Sequence, residues 1–293
     1  MFRVLLVALV LSFNLQASTL PYFNAAAENQ AVEFAPDVIS TKDHFEINTV
    51  FNQAGDNVIF ARCHDDFSMC TMMQSDYKNG QWQAPTALSI SGDYLDADPF
   101  YSSDYSQLYF VSKRPIPNTT DEAKEVNIWR STKKNGQWLT AEYLADINSE
   151  AMDLYPSLTD SGDLYFPSFR NNERAMYVAK PSATGFTEPK ALPSHIYGES
   201  GSIGDSAVSR DGNTIIFSLR GRADSVGNGD LYISTKTNGQ WSVAKSLGNK
   251  VNTAEHEFTP IISPDGQYLF FTRIENGRGN LYQIKLASLL NAQ

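Results

Sequence analysis

Five related segments recur along the chain at a spacing of about 50 residues, and this repetition constrains the fold more than any single motif. The clearest copy runs from Glu257 through Pro260, Ser263-Pro264-Asp265-Gly266 and Leu269-Phe270-Phe271 to Arg273. Its relatives run from Asp96 to Arg114 (with Lys113 beside it), from Asp153 to Arg170, from Asp205 to Arg220 and, most diverged, from Glu46 to Arg62. A second element follows each of the first four copies. Asn-Gly-Gln-Trp is identical at 79–82, 135–138 and 238–241, and Ala183-Thr184-Gly185-Phe186 stands in its place in the third. A period of this length fits the blades of a radial propeller and exceeds that of most helical solenoids.

Each unit reads as four short strands. A first strand such as Thr259 to Ser263 turns at Asp-Gly, a pair suited to tight hairpins that need positive φ. The return strand, such as Tyr268 to Thr272, is rich in the aromatic and β-branched residues that favour a pleated, packed surface. A third strand, for example Asp230 to Thr235, leads through the Asn-Gly turn to a fourth that opens with Trp or Phe. Helical periodicity is nearly absent. The last copy lacks an Asn-Gly-Gln-Trp element, whereas Gln30 to Ile39 reads as an orphan strand before the first copy. In a closed ring that strand supplies the missing outer strand of the last blade and removes an open edge. The prediction is therefore all-β: a five-bladed β-propeller over 30–293, with blades at about 41–90, 91–145, 146–193, 194–249 and 250–290 and a closing strand at 30–39.

At Ser263-Pro-Asp-Gly266, preceded by Glu257-x-x-Pro260 and followed by Leu-Phe-Phe-x-Arg273 and Asn280-Leu-Tyr282, the repeat resembles that of TolB-like (WD40-like) propellers. The phrase from Asn238 through Leu247-Gly248 and Val251-Asn252-Thr253 to Glu257 is similar to repeats of Gram-negative cell-envelope proteins. The resemblance covers roughly 45–286. It implies a propeller in the periplasm or at the envelope that serves recognition or assembly, and it says little about the ligand. No separate N-terminal α/β domain of the TolB kind is present in the sequence.

The first 17 residues pair Arg3 with the apolar run Val4 to Leu11 and end in Leu15-Gln16-Ala17, the pattern of a secretory signal, with 18–29 expected as a linker. No later stretch is apolar for the roughly 20 residues that a membrane span needs, so the mature chain is expected to be periplasmic or secreted without a transmembrane anchor. A formal charge of −10 repels phosphate backbones, which argues against nucleic acid as the partner. The only two cysteines, Cys63 and Cys70, flank a hairpin turn near Asp66-Phe67. In an oxidising compartment they are a disulfide candidate, with two buried thiols as the alternative.

The repeat places an acid before the first strand and a base at the end of the second, so both fall on one rim: Glu46 with Arg62, Asp96 with Arg114, Asp153 with Arg170, Asp205 with Arg220 and Glu257 with Arg273. Structurally, such pairs fasten neighbouring blades through bidentate hydrogen bonds. Functionally, the ring of acids would line a ligand funnel or work as paired carboxylates on a sugar. The departures are an insertion at 115–125, and the glycine-rich exit from His195 to Asp205, where Ser206 replaces the usual Pro. His64 with Asp65-Asp66, and His256 between Glu255 and Glu257, lie in blades that meet on closure, yet no compact His/Cys spacing marks a metal site. Tyr94, Tyr155 and Tyr197 are candidates for stacking on sugars. No nucleophile elbow, phosphate loop or dinucleotide glycine motif occurs, so no catalytic residue and no cofactor is assigned. The expected function is a non-catalytic binding or assembly module for an envelope protein or a glycan, acting through the rim. The alternative is a carbohydrate-active hydrolase or lyase using the rim carboxylates.

Overall fold

The computed structural model describes residues 20–120, 122–198 and 201–290. The expected signal segment 1–17, and Glu199 and Ser200 of the glycine-rich exit, lie outside the described residues. Five antiparallel sheets follow one another along the chain. After β1 (Val32–Glu33), which pairs in the last sheet, the first comprises β2 (Phe45–Phe51), β3 (Asn57–Cys63), β4 (Cys70–Lys78), β5 (Gln81–Trp82) and β6 (Thr86–Ala87). Blade 2 has β7 (Asp96–Tyr101), β8 (Gln107–Ser112), β9 (Asn127–Lys134), β10 (Gln137–Trp138) and β11 (Glu142–Tyr143). Blade 3 has β12 (Ser157–Leu158), β13 (Leu164–Ser168), β14 (Ala175–Ala179) and β15 (Lys190–Ala191). Blade 4 has β16 (Ser202–Val208), β17 (Thr214–Arg220), β18 (Asp230–Thr237), β19 (Gln240–Trp241) and β20 (Lys245–Ser246). Blade 5 has β21 (His256–Ile262), β22 (Tyr268–Glu275) and β23 (Arg278–Lys285).

The fold is a five-bladed β-propeller whose last blade is completed by β1, paired antiparallel with β23 through Val32 with Gln283 and Glu33 with Tyr282. The seam is dry. Phe34 is 2% exposed and lies edge-on to Phe51, Trp82 and Phe270, which belong to blades 1 and 5. Residues 20–29, expected as a linker, join the same core: Tyr22 packs on Phe51 and Phe270, and Ala27 is buried. The outer strand of a blade is shorter than the sequence suggests. In blades 1, 2 and 4 it is split into two two-residue ladders on either side of a non-paired stretch.

Two local devices recur because the chemistry of their residues demands it. Asn79-Gly80, Asn135-Gly136 and Asn238-Gly239 all have positive φ, near 51–54° for Asn and 79–82° for Gly, which is the mirror-image turn whose twist matches the strands it joins. The second device was not read in the sequence. A backbone amide near the start of each third strand is capped by a side chain, in blades 1 to 4 from the connector to the next blade. Met72 N donates to Ser91 Oγ (2.9 Å), Ile128 N to Asn148 Oδ1 (2.7 Å), Met176 N to Tyr197 Oη (2.7 Å), and Leu231 N to Asn252 Oδ1 (2.8 Å). In blade 5 the cap is Ser40, whose Oγ accepts from Leu281 N (3.1 Å) across 241 residues of sequence. The N-terminal segment therefore performs for the last blade what each connector performs for its own. Cys63 and Cys70 are joined in a disulfide between directly opposed positions of β3 and β4.

Candidate functional site

The structure distributes the sequence-selected acids and bases unevenly. In blades 1 and 5 a glutamate lies directly across the ladder from its arginine, Glu46 from Arg62 and Glu257 from Arg273. The shorter aspartates of blades 2 and 3 oppose serines instead, Asp96 with Ser112 and Asp153 with Ser168, and the arginine comes from two residues further on. One missing methylene is thus offset by a change in the arginine's position. The contacts converge on the same geometry. Arg62 Nε reaches Glu46 Oε1 at 3.1 Å, Arg114 Nη2 reaches Asp96 Oδ1 at 2.8 Å, Arg170 Nη2 reaches Asp153 Oδ1 at 2.8 Å, and Arg273 Nε reaches Glu257 Oε1 at 2.8 Å.

These clamps are held by further contacts, although Asp96 Oδ2 is buried without a hydrogen-bond partner. Arg114, Arg170 and Arg273 each donate a further bond to a connector carbonyl, of Ile90, Ile147 and Val251. Thr41, Ser149 and Thr253 each give a backbone amide and a hydroxyl to the acid. All four arginines also lie over an aromatic ring of their own second strand, Phe60, Phe110, Phe166 or Phe271. Every such acid is buried. Burial pushes the Glu46 and Asp96 carboxyls above their ordinary range, against the pull of their hydrogen bonds and arginines.

Blade 4 departs from the pattern, and the pairing of Asp205 with Arg220 is not formed. The ladder aligns Ile203 with Leu219, the positions that hold acid and base in blades 1 and 5. Both are buried in an apolar cluster, so a hydrophobic contact replaces the ion pair. Asp205 sits two positions later, at the bulge that interrupts every first strand. It resembles the repeat's acid only because Ser206 occupies the place of the motif's Pro. Arg220 follows Leu219 and, since successive strand residues face opposite ways, points out to solvent, where its Nη2 lies 3.3 Å from His256 Nε2.

The bulge residues Asn48, Asp98, Tyr155, Asp205 and Thr259 face the central channel, one from each blade, and four of them hold positive φ values of 44–54°. They close a ring of hydrogen bonds. Asn48 Nδ2 donates to Asp98 Oδ1 (3.3 Å), Asp98 accepts from the Tyr155 amide, and the Tyr155 hydroxyl donates to Asp205. The Thr259 amide donates to Asp205 Oδ2 (2.9 Å), and the Asn48 amide donates to Thr259 Oγ1 (3.3 Å). Desolvation raises Asp205 to about 6. Desolvation, with the Asp205 charge second, holds Asp98 well above the carboxylate range. Arg174, at the start of blade 3's third strand, and Arg220 are the cations that act on Asp205. His256 is lowered to about 4 by burial and by Arg220.

The opposite mouth is blocked differently. Arg210, from the first turn of blade 4, stacks on Phe100 and Tyr105 and donates to the Tyr101 carbonyl (3.0 Å) in blade 2, so it crosses the channel. A cavity of about 350 Å³ surrounds it. Among the described residues no three His, Cys, Asp or Glu side chains converge as metal ligands. His64 lies with Asp65 and Asp66 in a surface hollow, whereas His256 stacks on Phe258 and faces Arg220 of blade 4. Tyr197 is buried by its capping role, Tyr155 belongs to the channel ring, and the structure assigns no role to Tyr94.

No family model matches the chain, and no curated protein does either. Solved structures do. A TolB-like protein from Agrobacterium tumefaciens aligns with a TM-score of 0.53 at 11% identity, covering 84% of this chain and 78% of the other. Hydrazine synthase from Kuenenia stuttgartiensis aligns with a TM-score of 0.53 at 13% identity over 83% of this chain. A puromycin-hydrolysing peptidase from Mycobacterium tuberculosis aligns at 0.45 and 13% over 78% of this chain. The chain spans 37% of the hydrazine synthase and 34% of the peptidase, so it matches about a third of those longer proteins. At these identities the likeness is one of fold: the β-propeller is shared.

Proposed function

We propose that the protein is an exported β-propeller that binds its partner without transforming it, a recognition or assembly module of the cell envelope working through the rim that carries the clamps. The arginine clamp on each of four rim carboxylates supports this reading. Glycoside cleavage needs one carboxyl free to give a proton and another free to attack or to activate water. Glu46, Asp96, Asp153 and Glu257 are instead each fixed by an arginine within 3.1 Å. Export rests on the signal pattern of residues 1–17, and among the described residues no helix is long and apolar enough to cross a membrane.

A carbohydrate-active enzyme is the second reading, and one observation directs it to the channel and away from the rim: Asp98 and Asp205 are both raised, and the charge of Asp205 contributes to the rise at Asp98. The test joins one measurement on the purified mature chain with one in cells. Panels of aryl glycosides, polyuronates and aldonolactones are expected to be left intact. A photo-crosslinker at position 220 is expected to trap one envelope component in cells. Turnover that disappears in a folded Asp205→Asn variant would replace the binding module with the enzyme.

A further inference from the structure

Seven arginines among the described residues have a carboxylate within salt-bridge distance, and Arg210 is not one of them. It lines the cavity of about 350 Å³ at the mouth opposite the clamps, a volume at the lower end of the roughly 300–1,000 Å³ of small-molecule sites. All five blades reach this cavity. Blade 3 gives Asp160, blade 4 gives Val208 to Asp211, blade 5 gives Ile262 to Gly266, and blades 1 and 2 give Phe51 and Phe100. The site therefore exists only in the closed ring. Arg210 is fixed in it by the Phe100 and Tyr105 rings, 5.0 and 5.1 Å from its guanidinium carbon, and by the Tyr101 carbonyl. A guanidinium has more N–H donors than the Tyr101 carbonyl and the Tyr105 hydroxyl take up. Desolvation lowers Arg210 below the ordinary arginine range, so an acceptor arriving there meets a charge that water only partly satisfies.

Three aspartates line the same cavity, and they are not equivalent. Asp211 accepts from Ser209 and Asn213, and Asp265 from Ser263 and Gln267, so both are turned back on their own Asp-Gly turns. The Asp160 carboxylate takes no hydrogen bond or ion pair among the described residues, while its backbone amide donates to the Arg210 carbonyl at 2.7 Å. That bond ties the first turns of blades 3 and 4 together and sets an unpaired carboxylate near an unpaired guanidinium edge. We propose that this mouth binds a zwitterion, an α-amino acid or short peptide with an apolar side chain. Its carboxylate would lie on Arg210, its ammonium on Asp160 and its side chain against the buried Phe51, Phe100 and Val208. The charges decide the class. A simple anion would meet three aspartates against one arginine, and a simple amine would face the arginine and leave its donors unmet. A zwitterion answers both groups and adds no net charge, and the guanidinium fork matches a planar two-oxygen carboxylate. The site lies at the mouth away from the clamps and is independent of the rim used by the binding-module reading.

L-Leucine and glycylleucine both carry these groups and distinguish a free amino acid from a peptide. Acetylation removes the ammonium charge of either, and amidation removes the carboxylate charge. Calorimetric titration of the mature chain should show one of the two zwitterions binding at one site per chain, with its acetylated and amidated forms about tenfold weaker or more. Arg210→Gln and Asp160→Asn should each lower the affinity by a similar factor. Asp160 is exposed, so its variant should stay folded and keeps the test decisive even if Arg210→Gln does not fold. Lys78→Gln, at an exposed ion pair on the outer part of blade 1, should bind as the parent does. Absence of binding by both zwitterions at millimolar concentration, equal binding of a blocked form, or unchanged affinity in Asp160→Asn would overturn the site. None of those results would alter crosslinking at position 220 on the other rim, so the two readings fail separately.

Discussion

Replacing Arg273 by Met should be among the most damaging single changes in this protein, and a second change should repair much of the harm. Arg273 Nε holds Glu257 Oε1 at 2.8 Å and Nη2 holds the Val251 carbonyl at 2.8 Å, and the Glu257 side chain is fully buried. Removing the guanidinium strands a charge in the interior, which typically costs about 3–5 kcal/mol. For a domain of this size that corresponds to a fall in melting temperature of roughly 6–20 °C. Blade 4 shows the alternative solution, with Ile203 facing Leu219 at the same ladder position. The double variant Glu257→Ile, Arg273→Met approximates it with a residue of similar volume to Leu. It still unseats the Thr253 amide and hydroxyl, which now bond to Glu257 at 3.1 and 2.6 Å. Recovery should therefore stop about 1–2 kcal/mol short of the parent. Urea unfolding of the four corners of the cycle measures the coupling. The reasoning is refuted if the single change costs under about 1 kcal/mol, or if the double variant is less stable than Arg273→Met alone.

Three other outcomes follow from named contacts. Phe34→Ala should cost about 3–5 kcal/mol by opening the seam between blades 1 and 5, read by thermal unfolding and by faster hydrogen exchange at the Leu281 amide. Paired Ser replacement of Cys63 and Cys70, which close a loop with a sequence separation of 7, should cost about 2–3 kcal/mol in denaturant titrations, and reducing agent should have no effect on the replaced form. Asp205 carries a folded pKa of about 6, above its value in the unfolded chain, so the folded state binds the extra proton. Its contribution is full below about pH 4 and is lost as pH rises through 6, on the order of 2–3 kcal/mol. His256 is shifted the other way, to about 4, and its contribution is present above the ordinary histidine range and lost as pH falls through 4. Asp205→Asn should therefore steepen the acid-side loss of stability in a pH series, and His256→Gln should flatten it.

The architecture was legible because its turns are written in residues with few alternatives. Asn-Gly and Asp-Gly impose positive φ wherever they stand, and repeated at a fixed period they fix strand order before any packing is considered. The closing strand was legible for a complementary reason, since the fifth copy lacked its outer element. The candidate site was harder to read. Asp205 fits the ring of clamps by its chemistry, yet ladder pairing puts Ile203 at the clamp position and Asp205 two residues later, at the bulge. Ile203 and Leu219 look like ordinary strand residues and conceal that blade 4 has given up its ion pair. The channel ring was invisible since its five members are chemically unlike and meet only when blades separated by 50 or more residues close into a circle. The caps do leave one signal in the sequence: Ile39-Ser40-Thr41, Ile147-Asn148-Ser149 and Val251-Asn252-Thr253 repeat as apolar, capping and acid-binding residues in that order.

Pairing of β1 with β23 also orders events in time. Val32 emerges early from any machinery that makes or moves the chain, and its partner Gln283 comes some 250 residues afterwards. Widening a loop to that size adds little to its equilibrium entropy, but it forces a wait. Until the far end arrives, Phe34 and the flank of blade 1 have no cover, so the nascent ring passes through an adhesive, half-made arc. Holding that arc apart from its neighbours is a task for which a folding helper, or a slow local concentration, would be needed at birth and never again.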